Sequence, residues 1–315
     1  MELRQFEYFL AVVREGGFSR AARTLHVGQP ALSKQVRNLE RELRVDLLFR
    51  GPDGVVPTPA GRRLEGILSD IFVHVSGIKD AVREAAAGGI SGTVSVGISP
   101  TLMPALAAPL SAELEKRHPA LSVRIVEALP MFLNEWLESY RLDVGLFTRW
   151  PAPGTDPVPK LTYRRIGVER VVLTAAGAAA TRSRWNGVPD YARCAGILQE
   201  LPLVTTPGFL LLLEERRDLT EMLSPLTSEI DSVHTVRDMV LRGEVCSVLP
   251  VTYIREDLAA GRLIAASFAP PLRRELVGVT PTGRTPSGAV QVVIETARAR
   301  LTELASADDA GAGTG

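Results

Sequence analysis

The sequence predicts three parts: an all-α N-terminal domain closed by a two-stranded ribbon, one long helix, and an α/β domain of two lobes. Apolar residues recur at helical spacing within residues 1–57, an apolar 4–3 repeat follows over 58–89, and strand and helix patterns alternate from residue 90. With 315 residues, 45% of them hydrophobic and 23% charged, the chain is long enough for two or three folded domains.

The N-terminal segment contains three short helical patterns and a ribbon. The first helix has the apolar residues Leu3, Phe6, Phe9, Leu10 and Val13. It ends at Gly16-Gly17, and Ser19 is the expected N-cap of the second helix. Gln29-Pro30 begins the third helix, because proline suits the first helical position. Glycine and proline between short apolar stretches predict a ribbon within residues 47–57.

Thr58-Pro59 begins the long helix, which is predicted to end at Gly88-Gly89. Its repeat consists of Leu64, Leu68, Ile71, Val75, Ile78 and Val82. A period of 3.5 residues is typical of helices that pair with a second copy, so we expect these side chains to lie between two subunits. Packing of the helix on its own domain is the alternative.

The remaining patterns indicate a parallel sheet with crossover helices. Strands are predicted near 93–98, 121–126, 143–147, 166–173, 202–205, 245–249, 263–268 and 275–280, and helices near 102–117, 131–140, 209–223, 234–242 and 289–304. The proline-rich segment 151–159 divides a first lobe, about 90–160 and 269–305, from a second lobe, about 161–268. Residues 306–315 are expected to be a disordered tail.

Charge and composition narrow the function. The net charge is zero, yet residues 1–63 hold 11 Lys and Arg against 7 Asp and Glu, which favours a polyanionic partner at that end. The apolar run Phe209–Leu213 is far shorter than the ~20 residues of a membrane helix, and the start lacks the apolar stretch of a signal peptide. We therefore expect a cytoplasmic protein that does not bind membranes.

Catalytic and metal-binding motifs are missing from the sequence. It has no GxSxG, P-loop or HExxH motif, no GxGxxG after a strand, and its four histidines show no ligand spacing. An enzyme is therefore disfavoured, and no cofactor or metal is expected. A free solute-binding protein is also disfavoured. It would need the α/β part but not the first 90 residues, and it would be expected to start with a signal peptide.

Residues 17–61 contain the most specific pattern, GFSRAARTLHVGQPALSKQVRNLERELRVDLLFRGPDGVVPTPAG. This segment resembles the DNA-binding half of LysR-type transcriptional regulators, a winged helix-turn-helix. The matching positions are Ser19, Ala21, Ala22, Leu25, Gln29, Pro30, Ala31, Leu32, Ser33, Gln35, Val36, Leu39, Glu40, Leu43, Phe49, Arg50, Thr58, Ala60 and Gly61. More loosely, GTVSVGISPTLMPALAAPL and GEVCSVLP resemble segments of the family's effector domain, which is similar to two-lobed periplasmic binding proteins.

The resemblance implies a set of DNA contacts. In a helix-turn-helix the second helix enters the major groove, where glutamine suits adenine and lysine or arginine suits guanine or phosphate. We expect contacts from Ser19, Arg20, Gln29, Pro30, Ser33, Lys34, Arg37 and Arg50, with Ser33, Lys34 and Arg37 all facing away from the apolar side. A merely solvated helix face is the alternative. Asp53 at the ribbon tip departs from the basic residue of many relatives and argues against minor-groove binding there. Gly28 replaces a usual Ser or Thr, which removes a capping hydroxyl.

A second site is expected between the lobes. Ser99, Pro100 and Thr101 follow a strand and open a helix, and Thr205-Thr206 do so in the second lobe. The resemblance implies a small-molecule effector at this site, and because helix N-termini favour anions, a carboxylate is one candidate. Leu129, Phe147, Thr148 and Ser247 are expected at neighbouring sheet ends. Helix capping alone is the alternative for the hydroxyl residues.

The implied partners are a double-stranded DNA operator, the effector, and further copies of the chain in a homodimer to homotetramer. The resemblance is also compatible with RNA polymerase as a partner. A thiol redox-responsive regulator of the same fold, using Cys194 and Cys246, is the alternative function.

Overall fold

The computed structural model describes residues 1–51, 54–68, 89–149, 158–178, 184–186, 188–214, 216, 226–283 and 285–312. The chain divides into two compact units, Met1–Lys79 and Asp80–Gly315.

The first unit has the predicted helices and ribbon. Its elements are α1 Leu3–Glu15, α2 Phe18–Thr24, α3 Gln29–Leu43, β1 Leu48–Gly51, β2 Gly54–Pro57 and α4, which is described over residues 59–68. β1 and β2 pair antiparallel. Helix α1 ends at Gly16, whose φ of 62° is a left-handed conformation that favours glycine. The expectation for Ser19 is wrong: α2 begins at Phe18 with Gly17 as N-cap, which places Ser19 in the first turn.

Helix α4 begins as predicted. Pro59 is its first residue, and the Thr58 hydroxyl accepts a hydrogen bond from the Gly61 N–H at 3.0 Å. That hydroxyl also donates to the Asp46 carbonyl at 2.8 Å, so the cap ties α4 to the loop before β1. The cap satisfies one of the backbone donors that a helix start leaves open.

The first unit packs around one apolar core that includes Phe9, Leu32 and Val36. Leu68 has 0% exposure and belongs to this core, and Leu64 packs against it. Leu68 is therefore buried by its own domain, which corrects the prediction that it lies between two subunits. The neighbouring Ile67 is 46% exposed. The remaining positions of the repeat, Ile71, Val75, Ile78 and Val82, lie outside the described residues.

The second unit consists of strands and helices in alternation. They are β3 Gly92–Ile98, α5 Met103–Arg117, β4 Leu121–Glu127, α6 Pro130–Glu138, β5 Val144–Arg149, β6 Leu161–Ala176, α7 Asp190–Glu200, β7 Leu203–Thr205, α8 Pro207–Glu214, β8 Leu226–Glu229, α9 Val233–Arg242, β9 Ser247–Pro250, α10 Val251–Ala259, β10 Leu263–Ala266, β11 Leu272–Pro281 and α11 Gly288–Ala312. The sequence did not predict α7, β8 or α10.

The main sheet is mixed rather than parallel. Its strand order is β10-β6-β11-β5-β3-β4, and β9 also pairs with β6. β3 runs parallel to β4 and β5, as predicted. β11 runs antiparallel to β5 and β6, and β9 and β10 run antiparallel to β6. β10 and β11 are not paired with each other; both run antiparallel to β6, β10 along residues 173–176 and β11 along residues 161–171.

Two long strands belong to both lobes. Ile166 of β6 and Leu276 of β11 lie in the core of the first lobe, together with α5 and α11. Val171 of β6 and Leu272 of β11 lie in the core of the second lobe, with α7 to α10. The lobe boundary therefore falls inside β6 and β11, several residues from the predicted divisions at 161 and 268.

Helix α11 is longer than predicted. It continues to Ala312, so the expectation of a disordered tail is wrong for residues 306–312. This stretch, SADDAGA, is rich in alanine, the strongest helix former, and extends a helix that already exists. Most of the proline-rich segment 151–159 lies outside the described residues.

Candidate functional site

The first candidate surface is the exposed face of α3. Its buried residues Leu32, Val36 and Leu39 recur at the 4–3 spacing of one helix face. Lys34 and Arg37 are exposed on α3, and Gln29 and Pro30 are exposed at its start. The arrangement gives α3 a positively charged face with a glutamine at its N-terminal end.

Ser33 does not join this face. It is 8% exposed, so the expectation that it faces away from the apolar side is wrong. Ser33 follows the fully buried Leu32 by one residue, a rotation of about 100°, which still leaves it at the edge of the buried face. Ser19 and Arg20 are exposed on α2, and the Arg20 Nε donates to the Glu15 carbonyl at 2.5 Å.

Arg50 is held in place on β1 by two contacts. Its guanidinium pairs with the Glu40 carboxylate at 2.9 Å and lies 4.9 Å from the centroid of the Phe18 ring. The other Glu40 oxygen accepts hydrogen bonds from the Leu47 and Leu48 N–H groups at 3.1 and 3.3 Å. Glu40 therefore fixes β1 relative to α3. The sequence pattern contains Glu40 but does not show these partners, which lie seven to ten residues away.

The second candidate site begins at one edge of the first lobe. Ser99 follows β3, and its N–H donates to the Leu146 carbonyl of β5 at 3.1 Å. Thr148 lies two residues further along β5 and is buried like Ser99. Within the part of the chain that the structure describes, neither hydroxyl oxygen has a hydrogen-bond partner. A buried polar group left unpaired costs about 1–3 kcal/mol, so both hydroxyls favour a ligand.

The facing edge of the second lobe contributes Thr205 and Phe209. Thr205 ends β7 with 0% exposure, and no partner for its hydroxyl occurs among the described residues. Thr206 is half-buried, and α8 begins directly after it. Phe209 is buried in the first turn of α8.

Arg274 joins the two edges, and sequence reasoning did not identify it. Its Nη2 donates to the Thr101 hydroxyl of the first lobe at 2.8 Å, and its guanidinium lies 5.0 Å from the Phe209 ring centroid of the second lobe. Its Nε donates to Glu169 Oε1 at 2.5 Å, and the exposures of Arg274 and Glu169 are 5% and 6%. We call the set Ser99, Thr101, Thr148, Glu169, Thr205, Phe209 and Arg274 the cleft residues, and the place where they meet the cleft.

A signal for this ion pair exists in the sequence. Glu169 interrupts the apolar strand pattern of residues 166–173, and Arg274 precedes the strand predicted at 275–280. The two residues are register partners on β6 and β11, although they lie 105 positions apart. Charged residues are rarely buried unless paired, so a charge at an inward-facing position of an apolar strand indicates that it has a partner, without showing which residue the partner is.

One expected effector contact, Phe147, is placed elsewhere, and a second, Ser247, lies on β9. Phe147 packs against Leu133 and Leu137 of α6, on the face opposite Thr148, because successive strand residues point to opposite sides. Ser247 is the register partner of Thr174, which lies five residues beyond Glu169 on β6. That separation is roughly 17 Å along a strand. Ser247 nevertheless lies beside β7, because the carbonyl of the preceding Cys246 accepts from the Val204 N–H at 3.0 Å, one residue before Thr205. The expectation for Phe147 is corrected, and the expectation for Ser247 stays a prediction. Pro100 and Leu129 are half-buried next to this edge and stay predictions.

A contact between the lobes lies at the rim. His234 at the start of α9 lies 3.3 Å from Glu127 Oε1, measured from its Nε2, and Glu127 ends β4. The Tyr253 hydroxyl lies 2.8 Å from His234 Nδ1. Burial raises the pKa of Tyr253 to about 12, so this phenol remains protonated at neutral pH. Sequence analysis found no role for His234.

The cysteines are packed into the core of the second lobe. Burial raises the pKa of both Cys194 and Cys246 to about 12. Their Sγ atoms donate to backbone carbonyls, of Ser267 at 3.7 Å and of Leu201 and Pro202 at 3.6 Å. A reactive cysteine requires an accessible thiolate, so these surroundings disfavour the thiol redox alternative.

The described part of the chain contains no group of three or more His, Cys, Asp or Glu side chains that could hold a metal ion. None of its helices is long and apolar enough to cross a membrane.

Comparison with known proteins supports the same two parts. Residues 3–62 match the family model of bacterial regulatory helix-turn-helix proteins of the lysR family, and residues 87–302 match the LysR substrate binding domain. The chain belongs to the LysR family. LysR-type regulators are transcriptional regulators with an effector-binding domain. The two family matches confirm the family and the fold class that the sequence predicts.

Relatives of known name agree with this assignment. The LysR-type chain is 31% identical over 264 residues to the HTH-type transcriptional regulator BbuR of Bordetella bronchiseptica, covering 82% of this chain and 77% of BbuR. A full-length OxyR variant from Pseudomonas aeruginosa has a TM-score of 0.68 at 24% identity, over 95% of each chain. Full-length CbnR, solved with its target DNA, has a TM-score of 0.60 at 21% identity, over 95% of this chain and 100% of CbnR. The two solved structures share the fold.

Proposed function

We propose that this LysR-type regulator binds a specific double-stranded DNA operator through α3 and that a small polar molecule in the cleft controls this binding. The observation that carries the proposal is the exposed face of α3, where Lys34 and Arg37 stand opposite the buried apolar residues and Gln29 is exposed at the N-terminal end of the helix. Such a helix fits the major groove of DNA.

Each exposed side chain has a distinct role in this proposal. Gln29 pairs with a base edge, since a glutamine amide matches adenine. Lys34 and Arg37 contact guanine or phosphate, and Arg50 contacts phosphate from β1. The orientation of Arg50 by Glu40 and Phe18 supports its role, because a pre-positioned cation loses less entropy on binding. The solved complex of CbnR with its target DNA supports DNA as the partner.

Two copies of the chain would occupy the two half-sites of an imperfect palindrome. Helix-turn-helix dimers match operator symmetry in this way. The segment 58–89 is the proposed pairing element, with Ile67 exposed on its described part. A pair of dimers, and a contact with RNA polymerase, extend the same proposal.

The effector part of the proposal rests on the hydroxyls of the cleft. Ser99, Thr148 and Thr205 are buried, and within the described ranges their hydroxyl oxygens have no hydrogen-bond partner. A small ligand that accepts or donates hydrogen bonds there would satisfy them. It would alter DNA binding only by preferring one arrangement of the lobes or subunits, since only differential affinity shifts a population.

The test is selection of bound duplexes from a randomised DNA library by the full-length protein, followed by affinity measurements at several salt concentrations. We expect one enriched, imperfectly palindromic sequence. Lys34→Ala and Arg37→Ala should each lower the slope of log affinity against log salt by about 1 if the residue contacts phosphate. Arg298→Ala, an exposed arginine of α11, is the matched control and should leave the slope unchanged. Absence of any enriched sequence would contradict the proposal.

A further inference from the structure

The Glu169 carboxylate presents an unused acceptor to the cleft. Its Oε1 accepts from Arg274, while its Oε2 is buried and has no hydrogen-bond partner among the residues that the structure describes. Glu169 is 94% buried, since its exposure is 6%. A carboxylate oxygen can only accept hydrogen bonds, so a group that satisfies Oε2 must donate one.

The direction of this carboxylate follows from the strand registers. Glu169 and Arg274 are partners on β6 and β11, and Leu276 is the partner of Thr148 on β5. Residues 274 and 276 share one face of the sheet, because side chains alternate along a strand. Glu169, Arg274 and Thr148 therefore face the same side, where Arg274 meets Thr101 and Phe209.

The position of this acceptor relative to the hydroxyls restricts the ligand. Arg274 uses neighbouring donors of one rigid planar group, Nε toward Glu169 and Nη2 toward the Thr101 hydroxyl. The carboxylate and the start of α5 therefore lie side by side. Ser99 lies four residues before α5 begins at Met103, and it contributes a further buried hydroxyl at that edge.

We propose that the molecule bound in the cleft carries a protonated amine next to an acidic group, as an α-amino acid does. The amine donates to Glu169 Oε2, and the acid accepts from the hydroxyls of Ser99 and Thr148 and lies near the start of α5. This inference rests on the proposed effector role of the cleft and specifies the chemical class of its ligand.

Charge supports an amine over a plain anion. Glu169 and Arg274 balance each other, so the buried pair supplies no net positive charge for a carboxylate. A ligand bearing only negative charge would place it beside Glu169 Oε2, away from water, where like charges repel strongly. The helix start and the hydroxyls favour the acidic group, while the second oxygen of Glu169 favours a cation.

The experiment compares matched ligands on the full-length protein. The probes are L-α-amino acids, including alanine, leucine, glutamate and phenylalanine, each paired with the deaminated acid of the same carbon skeleton. Thermal shift identifies binders and isothermal titration calorimetry gives their affinities. We expect at least one amino acid to raise the melting temperature and to bind at least tenfold more tightly than its deaminated partner. Equal or tighter binding of the deaminated acid, or no shift with any amino acid, would overturn the inference.

A substitution of Glu169 sharpens the test. Glu169→Gln keeps an oxygen for Arg274 but replaces Oε2 by an N–H₂ donor, so the tenfold preference for the amine should disappear. A merely structural role would weaken both ligands of a pair equally. Glu275→Gln is the matched control: Glu275 is adjacent to Arg274 but its partner is Arg165, at 3.7 Å. Should Glu169→Gln fail to fold, the wild-type comparison decides alone.

Failure of this inference and failure of the proposed function give different results. If a deaminated acid alone changes DNA affinity, the cleft controls DNA binding but the amine requirement is wrong. If an amino acid binds with the expected preference and DNA affinity never responds, the amine requirement is correct and the regulatory role of the cleft is wrong.

Discussion

Removal of the Glu40 carboxylate should destabilise the N-terminal unit although Glu40 belongs to no apolar core. Glu40→Ala deletes two bonds to the Leu47 and Leu48 N–H groups and the ion pair with Arg50. A hydrogen bond to a charged group contributes about 1.5–3 kcal/mol, and the distances of 3.1 and 3.3 Å favour the lower end of that range. The half-exposed pair with Arg50 adds at most about 1 kcal/mol. The free energy of unfolding should therefore fall by about 3–4 kcal/mol.

Hydrogen exchange with mass spectrometry on the full-length protein measures this effect, because peptides from residues 29–57 report on the N-terminal unit separately. Exchange of those peptides should accelerate in Glu40→Ala, most strongly where they contain the Leu47 and Leu48 amides. Glu42→Ala is the matched control, since Glu42 is exposed and pairs only with the N-terminus in the described structure. Identical protection in Glu40→Ala and wild type would refute the structural role of Glu40.

Three further outcomes are expected. Leu68→Ala should destabilise the N-terminal unit by roughly 2–5 kcal/mol, because Leu68 has no exposed surface in its own chain. Ile67 is half-exposed, so Ile67→Ala should have a far smaller effect, and equal unfolding curves for the two variants would contradict this. Ser99→Ala should weaken the response to a ligand of the cleft and leave operator affinity unchanged, which anisotropy titrations with and without ligand would show; superimposed responses would mean that Ser99 contacts no ligand. Because the pKa of both thiols is raised from about 9 to about 12, iodoacetamide at pH 8 should modify Cys194 and Cys246 only after unfolding, and labelling of the native protein would contradict their burial. Since the thiols of the unfolded chain ionise first, their contribution to stability should decline as the pH rises from about 9 to 12.

The elements predicted correctly depend on interactions between neighbouring residues. Gln29-Pro30 begins α3, Gly16 ends α1, and glycines flank the ribbon turn, because caps and left-handed turns act within a few residues. The bounds predicted for β3, β4 and β5 agree with the structure to within two residues, because each strand is a short apolar stretch between polar or glycine residues. The family itself follows from one continuous motif, residues 17–61, which requires no knowledge of distant contacts.

The predictions that failed concern the direction and partners of elements. The 4–3 repeat shows that Leu68 lies on an apolar face, but only packing decides that this face meets its own domain. The sequence predicts a strand at Phe147 but not which of its faces meets the cleft, and only packing places Phe147 against α6. Ser33 shows the same dependence, since one helical step decides between exposed and buried.

Sequence alone therefore determined the family, the order of the domains and the exposed cations of α3, because these depend on local periodicity and on one contiguous motif. Only the tertiary structure brought Arg274 against Glu169 and Thr101, which lie 105 and 173 positions away along the chain. Contacts over such distances depend on strand order and register, and a single sequence contains no local pattern that specifies them. The charge and hydrogen-bonding character of the cleft was decided at that level.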